Sequence, residues 1–105
     1  MALRIDKPWR PREEAAKLPG QLGVFELADT GGNVLFIGVA DARSLFGLRS
    51  AVGEAFEKVA GAVKFRIEST SSYHTRYREL LMVYQADHGV PPAANVPMRL
   101  GTLHP

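Results

Sequence analysis

Apolar and polar positions alternate weakly over residues 2–8, ALRIDKP, which predicts a short edge strand. Pro11 then falls where a first helical turn begins, with Glu13 and Glu14 behind it. Proline forfeits no hydrogen bond there, and early acids suit the positive end of the helix dipole. Leu18-Pro19-Gly20 stops that helix. Two apolar runs follow, Val24 to Ala28 and Val34 to Gly38, joined by Asp-Thr-Gly-Gly-Asn, whose glycines permit the positive φ of a tight hairpin. The second run reads Val-Leu-Phe-Ile, apolar on both faces, and so predicts the central strand.

Asp41 is placed to cap a helix running to about Val59, with Leu45, Leu48, Val52, Ala55, Phe56 and Val59 in one stripe. Gly47 and Gly53 interrupt it, and close packing on the sheet is the expected reason. Lys64 to Glu68 alternates and predicts a third strand. Thr70 or Ser71 caps a longer helix ending near His88, with Gly89 as its stop. Its apolar stripe is Tyr73, Tyr77, Leu80, Leu81 and Tyr84. The proline-rich segment from Val90 is expected to be irregular. The order β-β-α-β-α predicts an α/β (α+β) domain, with a small, mainly antiparallel three-stranded sheet flanked by helices.

The 105 residues predict one domain, and 46% apolar with 23% charged residues is an ordinary globular balance. The sequence contains no cysteine, which excludes disulfides, thiolate zinc sites and a cysteine nucleophile. No apolar h-region stands in MALRIDKPWRPREE, and no apolar run approaches the roughly 18 residues that span a bilayer. A cytoplasmic protein with no membrane partner is expected. The net charge of +2 argues little for a nucleic-acid partner by itself. His74, His88 and His104 lack metal-ligand spacing, and no P-loop, dinucleotide fingerprint or GxSxG elbow occurs.

One constellation stands out. Gly23-Val24-Phe25 and Phe36-Ile37-Gly38 form two aromatic-glycine triplets, ten residues apart, on adjacent strands. A helix follows, Glu79 lies on a later helix, and Asn95 follows a proline pair. In these residues the chain resembles the GIY-YIG endonuclease domain. The resemblance covers about residues 19–95, leaving 1–18 as an N-terminal extension and 96–105 as a tail. It implies a nuclease fold whose motif positions are Gly23, Phe25, Phe36, Gly38 and Asn95. It also implies an arginine that stabilises developing negative charge and a divalent metal, Mg²⁺ or Mn²⁺, on Glu79.

The departures from the pattern decide what is expected of it. Both motif tyrosines are phenylalanine, which packs alike but cannot donate, accept or release a proton. General acid–base assistance typically contributes about 10²–10⁴-fold, and a phenyl ring supplies none. The arginine spacing falls on Phe46, with Arg43 and Arg49 three residues to either side. Arg49 borders the apolar stripe and is the better candidate. The first expectation is therefore a catalytically degenerate module that binds DNA or RNA and needs no cofactor. The alternative is a divergent metal-dependent endonuclease with Arg49 and Glu79 catalytic and Tyr73 or His74 replacing the lost hydroxyl. A third is a protein-interaction or homodimeric module, with Phe46 in an apolar patch.

Arg43, Arg49, Lys64, Arg66, Arg76 and Arg78 are the candidate phosphate contacts. Glu79 lies three residues after Arg76, which favours a helix ion pair over a metal ligand. Trp9, in KPWRPR, is expected to dock the N-terminal segment on the core rather than stack on nucleic acid.

Overall fold

The computed structural model describes residues 4–95. Its strands are β1 (Arg10–Pro11), β2 (Gly23–Ala28), β3 (Val34–Ala40) and β4 (Lys64–Ser69), and its helices are α1 (Gly47–Lys58) and α2 (Tyr73–His88). A short 3₁₀ helix, Arg12–Lys17, follows β1. The domain is α+β, and its four strands form one antiparallel-paired sheet in the order β1-β4-β2-β3. The short edge strand is thus Arg10–Pro11 rather than residues 2–8, of which 2 and 3 lie outside the described residues. Residues 96–105, read as a tail, also lie outside them.

The central strand is β2, not β3. It pairs with β3 on one side and β4 on the other, and all six of its residues are buried. Its alternation sorts the core into two layers. Phe25 and Leu27 join Phe65 and Ala40 beneath Leu48, Val52, Ala55 and Phe56 of α1. Val24 joins Ile37 and Ile5 beneath Leu80 of α2, with Tyr73, Tyr77 and Tyr84 packed around them. The run Val34–Ile37 is apolar on both faces because a helix covers each face, although the strand stands at an edge. That edge is closed by the end of the described chain. The Asn95 amide accepts from Ile37 N and donates to Ile37 O, both at 3.0 Å, and Ala94 N donates to Leu35 O.

The hairpin forms as its glycines predict. Gly32 has φ +84°, and the Asp29 carboxylate accepts from the backbone N–H groups of Gly31 and Asn33. These bonds, Asn33 first, hold the Asp29 carboxyl below its ordinary pKa. Helix α1 begins at Gly47, later than Asp41 suggested. Asp41 instead closes its own turn, accepting from Arg43 N at its side chain and from Ser44 N at its carbonyl. A residue that satisfies its own turn has no need of a helix to cap.

Gly47 has φ +57°, and a Cβ there would stand 2.4 Å from the Gln21 carbonyl oxygen. Close packing on a neighbouring loop, not on the sheet, therefore requires that glycine. At Gly53 a Cβ would meet nothing within 4 Å, so packing does not explain it. Leu45, assigned to the stripe, precedes the helix and is 81% exposed. Helix α2 ends as predicted at Gly89, φ +80°, but starts at Tyr73, so its N-cap is Ser72, one to two residues beyond the expected caps.

Candidate functional site

The two motif triplets meet on neighbouring strands. Phe25 pairs with Gly38 across the β2–β3 ladder, and a Cβ on residue 38 would lie 2.2 Å from the Phe25 ring. Gly38 is thus the seat on which that ring rests, a cross-strand covering of glycine by an aromatic. Phe36 stands beside it, ring centroids 6.0 Å apart and tilted by 47°. Gly23 has its own reason. A Cβ there would lie 2.2 Å from the Glu68 carbonyl oxygen, so the close pairing of β4 with β2 excludes a side chain.

Phe25, Phe36 and Gly38 line a cleft of ≈ 500 Å³ at the β3 side of the sheet, together with residues of α1 and with Tyr77 of α2. Its surface is mostly apolar. Phe25 is buried at its floor and Phe36 half-buried on its wall. The polar groups on the lining are Ser44, Glu54 and Lys58 from the α1 side and Tyr77 from α2. Asn95 is not on the lining, but its neighbour Ala94 is. Its amide holds the β3 edge beside the cleft.

The remaining candidates lie elsewhere. Arg49 stacks over the Phe46 ring, 4.8 Å from its centroid, and lines a separate groove against the 3₁₀ helix. Glu79 accepts from Arg76 at 3.4 Å. The Arg76 guanidinium is buried and makes two further bonds to Glu68 on β4, at 2.6 and 3.1 Å. The hydrogen bonds to Glu68, more than any other contact, raise the Arg76 pKa. This cation bridges Glu68 and Glu79, so the place between the two carboxylates is already compensated. Among the described residues no group of three or more His, Asp or Glu side chains is arranged to hold a metal ion. The residues around Glu79 do not fit the divalent ion that the resemblance implies.

Several of the basic candidates already have partners within the domain. Arg43 pairs with Asp41 at 3.0 Å and Arg66 with Glu26 at 2.6 Å. The Glu26–Arg66 pair offsets a carboxylate on the fully buried central strand. Lys64 and Arg66 lie over the Trp9 ring at 5.7 and 4.2 Å, so this tryptophan fastens the N-terminal segment to β4. Arg78 is exposed on α2.

Sequence reasoning missed Tyr77, Glu54 and Lys58 as cleft residues. Tyr77 was assigned to the core stripe of α2, which it also serves. Glu54 and Lys58 carry the i,i+4 spacing that places two side chains on one face of α1, and that was the available signal.

A family model described as a domain of unknown function, DUF7508, matches residues 1–87. No curated protein matches the chain, and no solved structure does. Among the described residues no helix is long and apolar enough to cross a membrane.

Proposed function

The chain belongs to the DUF7508 family, and we propose that this member is a GIY-YIG-like domain that binds nucleic acid without cutting it. The observation that carries the reading is the cleft itself. Where the resemblance implies two phenolic hydroxyls it has two phenyl rings, and Arg49 and Glu79 stand outside it. What it offers instead is a half-buried Phe36 face, on which a base can stack, and the Lys58 cation on the same lining, which suits a phosphate. Base–aromatic stacking is worth about 1–3 kcal/mol per base in single-strand binders. The reading carries a cytoplasmic location with it, and needs no cofactor for binding.

Fluorescence anisotropy with labelled single-stranded DNA and RNA, at about 50 and about 200 mM salt, tests it. The expected result is binding that weakens with salt and falls about tenfold or more in Phe36→Ala. Absence of binding at the lower salt, or affinity unchanged in both Phe36→Ala and Lys58→Ala, overturns it.

A second reading, a divergent endonuclease, is favoured by one observation. Tyr77 brings a phenol to the same cleft as Lys58 and Glu54. On that reading the hydroxyl has moved from the strands to α2, and Tyr77→Phe removes cleavage while leaving binding intact.

A further inference from the structure

A second groove, apart from the motif cleft, runs between the 3₁₀ helix and α1. Its volume is ≈ 660 Å³, and Arg12, Glu13, Ala16, Phe46, Arg49 and Gly53 lie along it. Two features mark it. The first is charge. Arg4, Arg10, Arg43, Arg66 and Arg76 each hold a carboxylate. Arg12 and Arg49, like Arg78 on α2, hold none among the described residues. Each lies over a phenyl ring instead, Arg12 at 5.2 Å from the Phe56 centroid and Arg49 at 4.8 Å from that of Phe46. A stacked guanidinium is held in place while its N–H edge stays available for a bidentate acceptor.

The second feature is shape. Gly53 stands on the α1 side of the groove, and a Cβ there meets nothing within 4 Å. Phe46 beside it is 50% exposed and Leu45 81% exposed.

We propose that this groove docks an acidic peptide segment of a partner protein. An apolar side chain sits over Gly53, and flanking carboxylates reach Arg12 and Arg49. The apolar lining of Ala15, Ala16 and Phe56 suits an aliphatic or aromatic anchor better than a phosphodiester backbone. Glu13, on the same lining, repels a continuous run of phosphates but admits carboxylates spaced along a peptide. The inference is independent of what the Phe25–Phe36 cleft binds.

Display selection of random short peptides on the intact chain tests it, followed by affinity measurement on the selected peptides. Sequences with a Leu or Phe anchor between Asp or Glu residues are expected. Arg12→Ala and Arg49→Ala should each weaken them about tenfold, the loss of one charge-assisted contact. Glu13→Gln should tighten them. Gly53→Leu should abolish binding while raising the melting temperature, because leucine is the better helix former, so loss of binding there is not loss of fold.

Recovery of no acidic–apolar peptides, or affinities unchanged in Gly53→Leu and in the double arginine variant, overturns the proposal. Two other results overturn it by naming a different occupant. One is displacement of the peptides by oligo-dT through the same arginines. The other is self-association of the free protein that Gly53→Leu removes.

Discussion

Asn95→Ala is expected to destabilise the domain by about 2–4 kcal/mol, although residue 95 belongs to no strand of the sheet. Its amide makes two hydrogen bonds of 3.0 Å to Ile37, one in each direction, and both residues are buried. A neutral hydrogen bond contributes about 1 kcal/mol net, but an N–H or C=O left buried without a partner costs about 1–3 kcal/mol. Alanine leaves two such groups on β3. Against a total stability of about 5–15 kcal/mol, that is a large fraction. For a domain of this size it corresponds to a fall of about 10–20 °C in melting temperature.

Urea unfolding near pH 7 measures it, and a loss below about 0.5 kcal/mol refutes the edge-closing role. Asn95→Asp adds a sign. A protonated carboxyl donates and accepts as the amide does, whereas the carboxylate cannot donate to Ile37 O. Burial raises the folded-state pKa of the introduced group above its unfolded value of about 3.9. Its stability relative to the parent is therefore fullest below that value and is lost as pH rises through the folded pKa. A variant equally stable near pH 4 and near pH 7, measured against the parent, contradicts the geometry.

Gly38→Ala should cost about 1–3 kcal/mol in urea unfolding, because its Cβ meets the Phe25 ring at 2.2 Å; combining it with Phe25→Ala should restore part of the loss, and strict additivity refutes the seat. The α1 glycines should respond in opposite directions. Gly53→Ala gains up to about 1 kcal/mol, since its Cβ meets open space, while Gly47→Ala loses stability at φ +57°; calorimetry of both reads the contrast. Asp29 should titrate below the ordinary aspartate range by carbon-detected NMR; its contribution is present above that range and fades as pH falls through the depressed pKa, and an ordinary titration refutes the hairpin bonds.

The strands and helices were legible because their periodicities are local. The β2–β3 hairpin announces itself in Asp-Thr-Gly-Gly-Asn, and Gly89 marks the end of α2 in its own φ. Which strand is central was not legible in that way. Burial of both faces of Val34–Ile37 says nothing about who covers the strand's edge, and the cover comes from Asn95, 58 residues away. The same limit applied to the candidate site. Phe25, Phe36 and Gly38 are brought together by one ladder, so their spacing was informative. Glu79 depends on Arg76, and Arg76 on Glu68 of β4, a chain of contacts between separate elements. Arg49 is turned aside by Phe46, which occupies the position where the motif spacing placed an arginine. Gly53 looked like a packing glycine and proved to border open space.

We propose that the cleft of Phe25 and Phe36 binds nucleic acid without cutting it. The most direct test incubates the intact chain with single-stranded, duplex and branched DNA in the presence of Mg²⁺ or Mn²⁺, following binding and strand scission in the same samples. The account predicts salt-sensitive binding with no scission above the protein-free control. Scission that Glu79→Ala or Tyr77→Phe abolishes would contradict it.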